Sequence, residues 1–336
     1  MLGKLFESLY LKVFVNIIVS RSKSIVSVET VSKNGVVRSV EESFNTTSLD
    51  EKMYDFISSY VSESPFHYIS VLDKTFSQGA CPTCLTKEMD QYFDTSSSKY
   101  LCYNNRWAHY TSKIDIHALE KEYSRVGIDF IFSPFVVLAK FFKDKIDTNM
   151  AMFILIEDTF VTLSIFDNSE LLYAEHLDME HYKATDELLM EDQESNDIEL
   201  DLAINNEMDL DEIASDEFDN LGDIEDLDSL DDIDEFSDTK DLEEELQEQL
   251  DEVPVKEIDS FNEDYQRFLL IQSSINDFYK NDKYESQFIE ATYIADGVGI
   301  SGDLKRYLEE EMFLNVYVRN MDLNAEICEL AKAELK

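Results

Sequence analysis

Residues 286–318 read SQFIEATYIADGVGISGDLKRYLEEEMFLNVYV. The apolar run from Phe288 to Ala295 predicts a buried strand, and Gly297-Val298-Gly299 a tight turn. A helix follows from about Ser301 to Met312, with Leu304, Tyr307 and Leu308 on one face, and a second strand from Leu314 to Val318 closes the unit. The glycines stand where a helix N-terminus can accept a phosphate or another backbone can approach closely. The same stretch, Gly297 to Gly302, has the form G-x-G-x-x-G after a strand and before a helix. A dinucleotide-binding domain carries that motif in its first strand–helix unit and needs several more parallel strands after it. Only 34 residues follow Gly302, and Arg319 stands where the ribose-binding acid belongs. The pattern therefore points away from NAD(P) and toward turn geometry and close packing.

Outward from this unit, the 336 residues suffice for two ordinary domains, and 44% are hydrophobic. The formal charge of −45 argues against nucleic acid, whose phosphates require Lys and Arg. The charge is concentrated: residues 186–252 hold 31 acids and one base, Lys240, a net −30, which leaves −15 for the rest. Four cysteines and the absence of a leader pattern fit a reducing cytoplasm. The longest apolar stretch, Ile128 to Phe142, is broken by Asp129, Pro134 and Lys140 and is too short to span a bilayer.

Met1 to Leu11 has the spacing of a short amphipathic helix packed on the first domain. Strands are predicted over 13–19, 25–31 and 36–40, the last after the hairpin signal Asn34-Gly35. A helix over 49–61 has Ser48 as its expected N-cap, and 68–72 reads as a buried strand. An irregular excursion over 73–113 holds two short strands, 100–103 and 107–110. Then come a helix over 116–125, a strand over 129–132 and a helix over 135–143 that Pro134 can start. Strands over 152–156, 161–166 and 171–175 have tight connections at Glu157-Asp158 and Asp167-Asn168. A long helix over 260–279 precedes the opening stretch, and a last helix runs over 323–335. Each half thus reads strand, strand, strand, helix, strand, helix, strand, helix.

Within the acidic tract, Leu221, Ile224, Leu227, Leu230, Ile233 and Phe236 recur every third residue, which suits neither a helix nor a strand. So few apolar groups at that charge density cannot offset the entropy of ordering, and 186–252 is expected to be a disordered insertion. It serves either as a solvated spacer or as a docking segment for a basic or amphipathic partner. Cys81, Cys84, Cys102 and His109 have the spacing C-x2-C-x17-C-x6-H. Its second half departs from structural zinc patterns, so free thiols in a loop are expected and no metal is assigned. His67, His117, His176 and His181 lie in no nucleophile pattern, and no catalytic residue is assigned.

Two tandem halves of this order, with a strand–glycine–helix near the end, resemble the actin-like ATPase fold, and within it the PilM type of pilus-assembly protein and the cytoplasmic domain of the GspL type of secretion protein. Ile131 to Ala139 looks like the segment where that family leaves its first half, Met152 to Glu175 like its second-half hairpins, and Ile294 to Gly302 like its adenosine loop. The resemblance implies an α/β fold of two actin-like, RNase H-like halves around a cleft, residues 1–147 and 148–336. The excursion 73–113 would be the extra subdomain of the FtsA and PilM branch. It also implies Gly297, Gly299 and Gly302 as cofactor-binding residues, with ATP and Mg²⁺ as the cofactor. As partners it implies the cytoplasmic tail of a bitopic inner-membrane protein and an assembly ATPase, with no direct membrane span. The protein would be cytoplasmic, peripheral to the inner membrane through those partners. ATP-using members have glycine-rich turns in both phosphate hairpins. Here Ser20-Arg21-Ser22-Lys23 and Glu157-Asp158-Thr159 lack glycine, and Glu157 with Asp158 is expected to add like charge without a nearby base. The expectation is a scaffold of pseudo-ATPase type for a type IV pilus or type II secretion-like platform. The alternatives are an active ATP-dependent switch and an acidic adaptor acting through its tract.

Overall fold

Two strands set the frame. Lys12–Val19 (β1, KVFVNIIV) and Ala151–Ile156 (β9, AMFILI) are near-continuous apolar runs, the pattern of strands covered on both faces. Each is the middle strand of a five-stranded sheet. The computed structural model describes residues 10–179, 255–281 and 288–335, with side chains described from 263 onward in the second of these. The readings made for residues 1–9, for 180–254 (hence for the acidic tract) and for His181 lie outside the described residues.

In the first sheet, β1 pairs antiparallel with β2 (Ser24–Ser32), which pairs antiparallel with β3 (Gly35–Phe44). On its other side β1 runs parallel to β4 (Phe66–Leu72), and β4 parallel to β8 (Phe130–Phe132). The order is β3-β2-β1-β4-β8. The second sheet repeats it as β11-β10-β9-β12-β13, with β10 (Phe160–Asp167), β11 (Glu170–Asp178), β12 (Ala291–Asp296) and β13 (Asn315–Asn320). Its pairings have the same senses: antiparallel among β9, β10 and β11, parallel among β9, β12 and β13.

The helices fall at matching positions. α1 (Glu51–Val61) precedes β4 as α5 (Val255–Tyr279) precedes β12. α3 (Lys113–Glu122) leads to β8 as α6 (Gly302–Glu310) leads to β13, and α4 (Pro134–Phe141) follows the first sheet as α7 (Leu323–Glu334) follows the second. Two copies of one α/β layout with this strand order are the duplicated actin-like fold.

The two last helices join the sheets. α4 and α7 share one apolar cluster with Phe14, Ile18 and Leu72 of the first sheet and Phe153, Leu155 and Phe160 of the second. Lys332 of α7 pairs with Glu29 of β2 at 2.7 Å, so the C-terminal helix is tied to the N-terminal sheet. The outer faces have their own cores. Met53 and Ile57 of α1 cover Val13, Val15 and Val26, and Phe268 and Ile271 of α5 with Leu304 and Leu308 of α6 cover Ile154 and Ile294.

Several local readings change. α1 starts at Glu51 with Asp50 as its cap, whose Oδ1 accepts Met53 N–H at 2.8 Å. Ser48 is not the cap because its N–H and carbonyl are engaged with Thr46 Oγ1. α3 begins at Lys113 because Ser112 caps it through Ile114 N–H. β12 begins at Ala291, leaving Phe288 65% exposed rather than in a buried strand. The excursion holds a three-stranded sheet, β5-β7-β6, and a one-turn helix, α2 (Thr86–Met89). β6 is Ser98–Tyr103 and β7 Trp107–Ser112, while β5 (Gln78–Cys81) is too short to show a period in sequence. Cys84 and Cys102 are joined by a disulfide, which corrects the expectation of free thiols there.

Candidate functional site

The turns that join β1 to β2 and β9 to β10 come from opposite sheets and meet. Arg21 N–H donates to Asp158 Oδ2 at 3.0 Å, and Arg21 Nη2 donates to the Asp158 carbonyl at 2.6 Å. Nη1 of the same guanidinium pairs with Glu263 Oε1 of α5 at 2.6 Å. Lys74, just past β4, reaches the Val19 carbonyl and lies 3.9 Å from Asp158 Oδ1. The expectation that Glu157 and Asp158 have no base nearby is therefore overturned: Arg21 and Lys74 arrive from the other sheet. Opposite charge drives the contact, since the turn Ser20–Lys23 carries two bases and the turn Glu157–Thr159 two acids.

The contact continues into the second sheet. Arg267 is buried and binds Glu263 at 3.2 Å and Asp264 Oδ1 at 2.7 Å. Asp264 Oδ2 accepts from Ser301 N–H at 2.8 Å and from Ser301 Oγ at 2.6 Å. A buried ion pair depends on contacts that satisfy its remaining valences; Ser301, the N-cap of α6, satisfies the second oxygen of Asp264, while Arg267 Nε has no hydrogen-bond partner.

The glycine loop lies beside this network, and its amides are engaged by the chain itself. Asp296, at the end of β12, accepts at Oδ1 from Val298 N–H (3.1 Å), Gly299 N–H (2.8 Å) and Ile300 N–H (3.1 Å). Gly297 N–H donates to the Ile156 carbonyl at 3.1 Å. A carboxylate thus sits in the nest of amides where an anion would be held. Gly299 has φ +81°, the left-handed region that favours glycine. A Cβ on Gly297 would lie 2.0 Å from Glu157 Oε1, so this glycine makes room for an acid. Gly302 is the first residue of α6, and a Cβ there would meet nothing within 4 Å.

Glu157 is 6% exposed, and its Oε1 has no hydrogen-bond partner. Burial pushes its pKa up to about 7, with Asp158 and Asp296 adding to the rise and Lys74 and Arg267 opposing it. The donor set does not fit a triphosphate: the amides of residues 298–301 are spent on carboxylates and that of Gly297 on the Ile156 carbonyl, and a phosphate between the turns would have to displace Arg21 from Asp158.

The excursion carries a second feature. Beside β6 lies a cavity of about 930 Å³ lined by Leu101, Trp107, Phe130, Val136, Lys140 and Leu330 among others. β6 is the end strand of its sheet, and Leu101 on it is 67% exposed. Lys140 Nζ has no hydrogen-bond partner, and burial lowers its pKa. The set Cys81, Cys84, Cys102 and His109 is not assembled for zinc. Cys84 and Cys102 are bonded to each other, and burial brings His109 down to about 4.

Residues 152–336 match the family described as Domain of unknown function (DUF8341), more than half of the chain. The chain belongs to the DUF8341 family. Residues 10–139 match a second description, Domain of unknown function (DUF8569). The DUF8569 match runs from just before β1 through most of α4, and the DUF8341 match from β9 to the end of the chain. No curated protein matches the sequence. Among solved structures, the chain is similar to a Bacteroides thetaiotaomicron protein with actin-like ATPase fold and unknown function, at 10% identity over 97% of this chain and 96% of the other, TM-score 0.42. It is similar to the PilM–PilN type IV pilus biogenesis complex at 9% identity, over 91% of this chain and 88% of the other, TM-score 0.46. MreB 5 of Spiroplasma citri bound to AMPPNP is similar at 11% identity, over 96% and 95%, TM-score 0.39. The two sheets, with their matching strand orders, show the fold by themselves.

Nothing in the sequence alone marks Lys74, Asp264, Arg267 or Asp296 for this network; the one legible signal, the opposite charge of the two glycine-free turns, bears on Arg21 and Asp158.

Proposed function

We propose that DUF8341 in this chain is part of a scaffold that keeps the actin-like cleft as a structural joint and does not turn over nucleotide. The two halves are residues 1–147 and 148–336, with the excursion at 73–113 as an added subdomain and 186–252 as an insertion. The observation that carries this reading is the clasp of Arg21 on Asp158, which fills the gap between the two turns with protein donors and acceptors. Electrostatic catalysis of phosphoryl transfer needs unengaged donors aimed at the transferring group, and the loop at 297–301 has committed its own.

The machine we infer from the resemblance to the PilM and GspL types is an inner-membrane type IV pilus or type II secretion-like platform. The chain would stand at the cytoplasmic face, bound to the tail of a bitopic membrane protein and to an assembly ATPase. Among the described residues no helix is long and apolar enough to cross a membrane, so attachment through a partner suits it. The cavity beside β6 suits an extended tail, because an end strand offers backbone groups and the cavity offers apolar pockets. The test is affinity capture from membrane extract, followed by titration of a synthetic peptide of the captured protein's cytoplasmic tail. The expected partner is a bitopic inner-membrane protein, and Leu101→Asp should weaken tail binding about tenfold or more. A captured protein of another type, or tail affinity unchanged in Leu101→Asp, would overturn the assignment.

A further inference from the structure

The register of the small sheet places Cys81 of β5 and Cys102 of β6 opposite the same residue, Ala108 of the central strand β7. Residues on one rung point to one face, so the two cysteines flank Ala108 on the same side. Cys84, in the turn after β5, is bonded to Cys102 with their Cα atoms 5.5 Å apart. Cys81, Cys84 and Ala108 pack in one apolar cluster with Met89, Phe93 and Tyr100. The Cys81 thiol is directed at the Thr83 carbonyl, 3.5 Å away, which holds it against the turn that carries Cys84. Exposure is graded along the three: Cys102 is exposed, Cys84 half-buried and Cys81 fully buried. A free thiol therefore lies in the same cluster as a disulfide, at C-x-x-C spacing from its inner sulfur.

We propose that Cys81, Cys84 and Cys102 form a thiol–disulfide exchange site, in which the bond moves between Cys84–Cys102 and Cys81–Cys84 and an exposed thiol appears at Cys102. The Cys81 thiol gives its proton to solvent, and the thiolate attacks Cys84 Sγ. The Cys81–Cys84 bond forms as the Cys84–Cys102 bond breaks, and the electron pair leaves on Cys102, which takes up a proton. Nothing is oxidised or reduced overall, so no outside reagent is required. The attacking thiol is the slow partner, because burial raises its pKa, and the Thr83 and Ala108 backbones and Tyr110 are the groups around it. Exchange accelerates with pH as the thiolate fraction grows. The liberated Cys102 thiol is open to modification by a low-molecular-weight disulfide. None of this depends on the platform reading above.

The test uses the full chain purified without reductant. It is incubated with an alkylating maleimide, digested without reduction, and its peptides are identified by mass. Alkylated Cys102 should accumulate together with a Cys81–Cys84-linked peptide, about tenfold faster for each pH unit below the thiol's pKa. In Cys81→Ser, Cys84–Cys102 should persist and Cys102 alkylation should fall at least about tenfold. A merely packing role for Cys81 would leave the connectivity unchanged. Equal Cys102 alkylation in both proteins, no Cys81–Cys84 peptide at alkaline pH, or all three thiols alkylated at the outset would each overturn the proposal. If Cys81→Ser does not fold, the time course of the linked peptide in the unaltered chain decides alone.

Discussion

Replacing Glu157 by Gln tests the buried acid beside the glycine loop. The side chain is 6% exposed and its Oε1 is unpartnered, so its charged form is poorly solvated in the folded protein. Its pKa rises from the ordinary 4.5 to about 7. With the folded pKa above the unfolded one, the contribution of this group to stability is greatest below the unfolded value and is lost as pH rises through the folded one. Each pH unit between the two is worth about 1.4 kcal/mol, so the wild-type protein should lose about 3 kcal/mol between pH 4.5 and 7 through this group alone. Gln has nearly the same shape and does not titrate. The stability of Glu157→Gln relative to wild type should therefore climb by up to about 3 kcal/mol from pH 5 to pH 8 and level off above that. Urea denaturation at a series of pH values measures this directly. A difference that stays flat across the range would show that Glu157 is solvated or paired, and that the packing drawn around Gly297 is wrong.

Other outcomes follow from the same region. Gly297→Ala places a Cβ 2.0 Å from Glu157 Oε1 and 3.1 Å from the Ile156 carbonyl; it should cost about 1–3 kcal/mol by thermal or chemical denaturation, while Gly302→Ala at an open helix start should not destabilise. Arg21→Ala and Asp158→Ala should each cost about 1 kcal/mol or less, since both side chains are about a third exposed, and their effects should be close to additive, because each bond between the turns uses a backbone group that the other substitution leaves in place. Amide exchange of residues 20–23 and 157–159 should nevertheless speed up together in either variant. Asp296→Ala should destabilise by about 2 kcal/mol or more, because it strips the acceptor from three loop amides at once.

The duplicated sheet was legible in the sequence because its signals are local. Val13 to Val19 and Met152 to Ile156 read as strands from their own composition, Asn34-Gly35 and Asp167-Asn168 from turn chemistry, and Pro134 as a helix start. The cap at Asp50 was missed because Ser48 and Asp50 are both good caps, and what decides between them is the turn that already occupies Ser48. The Cys84–Cys102 bond was missed because four cysteines allow several pairings, and spacing ranks none of them. The clasp is hardest to read. Arg21 and Asp158 are 137 residues apart, and only the packing of α4 and α7 between the sheets brings their turns together. The role of Asp296 follows from loop backbone geometry, which a glycine-rich string constrains only loosely.

The proposed joint, a cleft held by protein groups in place of a working nucleotide site, can be examined by isothermal titration of the full chain with Mg–ATP beside a sensitive phosphate-release assay. No detectable phosphate release and weak binding at most are expected. Micromolar binding with turnover that disappears in Asp158→Ala would contradict it, and would make the two hairpins a phosphate site after all.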